Sequence, residues 1–201
     1  MKRKVFAAIG SLGVGSLVAF APMFPSASAA DAQISGFDDF GFSAPISILV
    51  YEPFFPVPTS PQGEMRYSYS DATLQSGPFG AATASTVYPG ATVATGLPAF
   101  DPRLPNYPII TTATYPPDPT HPAASQKYGQ MSASASPTKV VGSAQTAASA
   151  TGGAVSFGQA ASTTTATMAP SKVTTTSVAT IDDLGLMASI IEVKSIHSEV
   201  Q

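Results

Sequence analysis

The side chains able to do acid–base or metal chemistry are few and scattered. The 201-residue chain has two histidines, twelve Asp and Glu, nine Lys and Arg, and no Cys or Trp. Without Cys there is no disulfide framework, Cys-ligated zinc, iron–sulfur cluster or Cys nucleophile. His121 sits in Asp118-Pro-Thr-His-Pro122. A single His in such a loop, with no convergent partners, reads as a solvated side chain. His197 precedes Glu199 by two positions, a spacing that puts both on one face of a strand. No second pair accompanies it, so no metal or other cofactor is expected.

The acids divide in the same way. Asp38-Asp39 and Asp182-Asp183 are doublets, and neighbouring strand positions point to opposite faces, so neither doublet is a paired-carboxylate site. Asp182-Asp183 reads as a turn, and Asp38-Asp39, between Phe37 and Phe40, as a solvated bend. Glu52, Glu64, Asp71 and Asp101 remain as candidates for the facing pair that glycan hydrolysis requires, and no spacing selects two of them. The chain has no G-x-S-x-G elbow and no Gly-rich phosphate loop. Asn106, the only Asn, lies in Asn-Tyr-Pro, which is not an N-glycosylation acceptor. Ser and Thr clustered near Pro suit O-glycosylation by composition alone.

The elements that must carry these residues begin with a three-part N-terminus. Lys2, Arg3 and Lys4 precede an uncharged, mostly apolar run from Val5 to Phe20, and Pro22 and Pro25 then break it. Ala27-Ser28-Ala29 follows as a small-x-small site, with cleavage expected after Ala29 and next after Ala30. Residues 1–29 are thus a predicted secretory signal peptide. The chain carries a formal charge of −3, and loss of this segment takes away three basic residues and leaves −6. That balance argues against nucleic acid or an anionic membrane surface as a partner. The most apolar later stretches, Ile46 to Tyr51 and Leu184 to Val193, are too short to cross a membrane as helices.

Three compositional zones follow, at 30–88, 89–131 and 132–201. The first is rich in aromatics. Ser43 to Tyr51 reads as a strand, and Glu64 to Ser70 alternates, which predicts Met65, Tyr67 and Tyr69 on one face and Arg66, Ser68 and Ser70 on the other. The second zone has nine prolines between Pro89 and Pro122, which predicts an irregular segment pinned by its tyrosines rather than a regular ladder. A polyproline recognition surface is the competing reading. The third zone has 36 Ser, Thr, Ala or Gly among the 49 residues 132–180. Disorder and a thin β-structure compete there. Strand-like Lys172 to Ile181, a turn at Asp182-Asp-Leu-Gly185 and strand-like Leu186 to Ile196 predict a hairpin or solenoid corner. The fold class expected is mainly β, a small sandwich or solenoid-like structure with long Pro-rich and Ala/Ser/Thr-rich irregular or disordered segments.

Ala84-Ser-Thr-Val-Tyr-Pro-Gly90, Leu97-Pro98, Leu104-Pro-Asn-Tyr-Pro108 and Ala113-Thr-Tyr-Pro-Pro117 form an ordered set. With the Ala/Ser/Thr-rich region behind it, this set resembles exported proteins of unknown function from high-GC Gram-positive bacteria that carry Tyr-Pro-Gly and Pro-x-Tyr-Pro elements. The resemblance implies secretion or envelope association and brings no catalytic residues. The function expected is that of an exported, non-enzymatic protein of the envelope or surface, secreted or held at the cell surface, with cell-wall or surface components as partners. Two alternatives stay open. One is the front part of a longer adhesin-like solenoid, since residues 195–201 look like an interrupted strand. The other is a secreted hydrolase using two carboxylates.

Overall fold

Alternation of small residues with Thr and Ser dictates most of the architecture. In Met131-Ser-Ala-Ser-Ala135 and in Val140 to Ala144, every second side chain is buried. The same period runs through Ala160, Ser162, Thr164 and Ala166. Buried Ala, Ser and Gly leave so little bulk between facing strands that two sheets can pack closely. In the described residues 132–151 and 155–180 strands take the place of the competing expectation of disorder, because this period supplies each of β7, β8 and β9 with a buried face.

The computed structural model describes residues 34, 36–52, 54, 60–118, 125–128, 130–151, 155–187 and 190–201. The expected signal peptide, its Ala27, Ala29 and Ala30, and His121 lie outside the described residues. Strands β1 (Asp38–Ser43), β2 (Ile46–Val50), β3 (Gly63–Gln75), β4 (Phe79–Tyr88) and β5 (Thr111–Tyr115) form one sheet. Strands β6 (Ser125–Tyr128), β7 (Met131–Ala135), β8 (Lys139–Thr151), β9 (Val155–Ala169), β10 (Lys172–Leu186) and β11 (Ile191–Val200) form a second, in chain order. Every pairing between these strands is antiparallel. The parallel rungs of a solenoid do not occur among the described residues. Instead, the sheets face each other, with β3 over β8 and β9 and β4 over β7 and β8. Asp31–Gln201 is a single compact unit.

Both β1 and β2 pair with the same side of β3, in one continuous register that runs from Asp38↔Gln75 to Ser43↔Ser70 and on from Ile46↔Tyr67 to Val50↔Gly63. They are one edge strand interrupted at Ala44-Pro45, where Pro45 has no N–H for the ladder. Regular structure also enters the Pro-rich zone. A π-helical turn at Thr92–Gly96 leads into the short helix α1 (Leu97–Phe100), and β5 occupies the proline-free stretch before Pro116. The hairpin turn expected at Asp182–Gly185 is instead part of β10, which runs to Leu186, and β11 starts at Ile191. The doublet disturbs the strand without ending it, because Asp183 takes φ +53° while pairing resumes at Leu184↔Val193.

Ser68 creates a second disturbance. It holds φ +50°, an uncommon and costly conformation for a non-glycine residue. Register with β4 is kept on both sides of it, from Arg66↔Tyr88 to Gln75↔Phe79, but the facing of the side chains changes. Tyr67 lies edge-on to Phe157 of the second sheet, with ring centroids 5.9 Å apart. Tyr69 stacks on Tyr88 on the opposite face, at 4.3 Å. The expected grouping of Tyr67 with Tyr69 is therefore corrected: Arg66 and Tyr69 share the outer face.

Hydroxyl groups replace apolar bulk at the centre of the interface. Ser68 Oγ lies 2.8 Å from the Ala160 carbonyl and 2.7 Å from the Thr146 hydroxyl, which in turn donates to the Thr86 carbonyl. Ser162 Oγ donates to Ser70 Oγ, and Thr164 Oγ1 donates to the Ser70 carbonyl. These bonds tie β3 to β9 across the layers and satisfy groups that burial would otherwise penalise. Thr164→Val keeps the shape and deletes the hydroxyl. It is expected to lower the unfolding free energy by about 1–2 kcal/mol, read from the urea midpoint at unchanged slope.

Candidate functional site

The one place among the described residues where charged and aromatic side chains converge is the outer face of the first sheet. The reversal at Ser68 brings Arg66 beside Tyr69. The cross-strand pair Arg66↔Tyr88 adds Tyr88, and β1 adds Phe42. The Arg66 guanidinium carbon lies 4.9 Å from the centre of the Phe42 ring and 5.3 Å from that of Tyr69. Such contacts favour a planar cation over an aromatic face. Phe42 continues to Phe40, at 6.1 Å between centroids. Phe40 and Phe42 are 57% and 48% exposed, whereas Tyr69 is buried beneath them.

Two carboxylates complete the cluster. Arg66 Nε lies 2.5 Å from Glu64 Oε1. In this ion-pair contact the N–H is not aimed along the N···O line, and neither atom has a hydrogen-bond partner among the described residues. Asp71 accepts a hydrogen bond from the Tyr69 hydroxyl at 2.8 Å. Burial pushes the Asp71 carboxyl above the usual range, against hydrogen bonds from Tyr69 and Thr83 and the attraction of Arg66. Burial also raises the Tyr69 phenol, followed by the Asp71 charge and hydrogen bond. Tyr88 is raised by burial, then by Asp71 and Glu64.

These phenols make the fold alkali-sensitive. A phenol whose folded pKa exceeds its unfolded value contributes stability that is complete below about pH 10 and is lost as pH rises through the folded value. Phenolate absorbance from Tyr69 and Tyr88 is therefore expected to appear together with loss of β circular dichroism. Ionisation of Tyr69 and Tyr88 with the fold intact would contradict this.

The Tyr-Pro-Gly and Pro-x-Tyr-Pro elements frame the cluster. Gly90 takes φ +85°, and a Cβ there would lie 2.8 Å from Glu64 Oε2, so glycine allows the chain to turn over Glu64. Tyr107 donates its hydroxyl to the Val87 carbonyl, and Ser85 donates to the Ile109 carbonyl. The 91–110 segment is thereby fastened to the end of β4. A hollow of about 400 Å³ lies under it, bounded by Ala94, Pro98, Asn106, Tyr107 and Thr112. Tyr107, raised by burial, is its ionisable group.

The other sequence candidates separate. Asp38 accepts from Gln75, and Asp39 accepts from the Thr175 hydroxyl in the second sheet. Glu52 accepts from the Phe54 N–H, and Asp101 grips Arg103 through both its oxygens. Asp182 accepts from Ser195 and Asp183 from Lys194. His197 Nε2 lies 3.9 Å from Glu199 Oε2 on an exposed strand. No group of three or more His, Asp or Glu suited to a metal occurs among the described residues. Of the four acids singled out for a facing pair, Glu64 and Asp71 come to one face, with Arg66 attracting both. Sequence reasoning missed Arg66, Tyr69 and Tyr88 as a unit. The two-residue spacings Glu64-x-Arg66 and Tyr69-x-Asp71 are the signal present, but the reversal between them is invisible in the letters.

Fold and site together define an open, two-sheet antiparallel β protein with an aromatic and ion-paired outer face. No protein-family model matches the chain, and neither a curated protein nor a solved structure matches it.

Proposed function

We propose that this is an exported, non-enzymatic protein of the cell envelope or surface, which acts by contact through the outer face of its first sheet. The observation that carries the contact half is the state of the clustered charges. Arg66 is held between Phe42 and Tyr69 and against Glu64, and Asp71 is held by Tyr69. Groups so mutually engaged present a fixed surface rather than an acid and a base poised across a cleft. The export half is supported by Lys2, Arg3 and Lys4, the apolar run and Ala27-Ser-Ala29. Cell-wall or surface components are the partners this reading implies, with no cofactor.

Fractionation of a Gram-positive host expressing the whole chain tests the reading. The protein is expected in the envelope or medium with an N-terminus at Ala30 or Asp31, and Ala29→Asp combined with Ala30→Asp should leave it uncleaved. Cytosolic protein that retains Lys2 to Lys4 would refute export. Turnover of wall polysaccharide by the purified chain that is lost in Glu64→Gln or Asp71→Asn would refute the non-enzymatic half.

A further inference from the structure

The two layers differ in width. Strand β5 lies over β6 and β7, β4 over β7 and β8, β3 over β8 and β9, and the β1 part of the edge over β9 and β10. The next position in the first layer, over β10 and β11, is empty among the described residues. Among the described residues nothing covers the inward side of β11. Its phase follows from β10, where Ile181 is buried against Phe157 and Ala160 and pairs with Ile196, while Ser177 pairs with Val200. Ile196 and Val200 are accordingly 44% and 66% exposed.

A groove of about 670 Å³ occupies this step, walled by Asp39 to Phe42 on one side and by Thr175, Ser177 and Val200 on the other. A smaller hollow continues it past Ala179 and Ser198. Along its wall runs the β1–β2 edge, whose outward N–H and C=O groups meet no described strand. Such an edge is a template for pairing.

We propose that this groove receives one extended peptide segment of a partner protein, added as a strand beside β1. The edge selects a strand: its outward N–H and C=O groups are matched by an extended segment lying about 4.8 Å away, whereas a helix has already paired its own backbone groups internally. A second copy of this chain does not fit either. Pairing two β1 edges would put the copy's β10, which lies beneath its own β1, where β11 already is. The floor sets the side chains. Ser177, Ala179 and Ser198 are small, and Val200 is apolar, so alternate residues of the segment are apolar and β-branched or aromatic. Charge sets one end. Asp39 is engaged by Thr175, whereas Lys172, at the mouth beside the start of β1, has no ion-pair partner among the described residues. An acidic residue at the C-terminal end of an antiparallel segment would meet it.

The test uses a synthetic peptide that alternates Val and Thr and ends in Glu, added to the whole chain. Hydrogen exchange is expected to slow at the amides of β1 and β2 that face away from β3, with no change at β5 or β6. Val200→Lys is expected to abolish this protection. Val200 is exposed at the end of its strand, so the variant folds, as circular dichroism checks. Replacing the peptide's Glu by Lys should weaken binding up to about fivefold, the range of an exposed ion pair. Three results would overturn the proposal: no protection of β1 and β2 by the peptide, equal binding by Val200→Lys, or a concentration-dependent dimer of the chain that protects the same amides without the peptide.

Discussion

Leu74→Ala is expected to lower the unfolding free energy by about 4 kcal/mol, in the upper part of the range for buried leucines. Leu74 is fully buried, 0% exposed, and is the largest side chain in that condition. Its fully buried neighbours in the core are mostly alanines, Ala72, Ala82, Ala113, Ala133, Ala135 and Ala166, with Val140, while Phe37, Tyr115 and Met168 pack against the cluster from partly buried positions. An alanine methyl has no rotamer by which to lean into a vacancy, so the cavity persists and its full cost is felt. Stabilities of small domains run to about 5–15 kcal/mol, so one truncation removes a large share. Urea unfolding monitored by tyrosine fluorescence measures it. Leu74→Met, which conserves volume, should cost less than about 1.5 kcal/mol. A loss below 1 kcal/mol for the alanine variant would mean that the alanine-lined layer can collapse.

Gly142→Val is expected to cost about 3 kcal/mol or more, for the opposite reason. A Cβ at Gly142 would lie 2.6 Å from the Asp71 carbonyl oxygen and 2.7 Å from that of Thr83. Both are backbone atoms of paired strands, β3 and β4, so neither can swing aside as a flexible side chain would. Relief requires the sheets to part, which loosens the Leu74 layer and the Ser70–Thr164 hydroxyl contacts together. Gly77→Ala is the control, because a Cβ there meets no atom within 4 Å. Its effect should stay within about 0.5 kcal/mol. Thermal unfolding of the pair discriminates between loss of a close approach and a general intolerance of side chains in this glycine-containing chain.

The Gly142 contact also explains how so sparse a chain can be ordered. Leu, Ile, Val and Phe number 34 in residues 30–201, close to the composition at which order fails. Small side chains compensate by letting backbones approach, and dispersion then operates between main chains as well as side chains. The same composition reads from sequence as disorder or as β, and alternation is the feature that separates them. In Met131 to Ala135 the period is legible and the strand follows from it. In Asp182 to Gly185 local turn chemistry outvoted the period and misplaced the hairpin, because β9 and β11 on either side hold β10 extended through the doublet. At the outer face, Glu64 and Asp71 were legible as candidates, but their company was not. That company depends on Ser68, a residue with no intrinsic taste for positive φ, held there by contacts with Ala160 and Thr146 far along the chain.

The mainly β class and the acids available for a site were legible in the letters, because periodicity and residue type are local properties. Disorder and β stayed open in the Ala/Ser/Thr-rich region, as did a pinned loop and a polyproline surface in the Pro-rich one. Only the tertiary structure decided that β1 and β2 form a single edge, that one sheet overhangs the other, and that Arg66 meets Tyr69 and Tyr88. Those arrangements rest on register and on the φ of one serine, which are set by hydrogen bonds between residues roughly 80 to 90 positions apart.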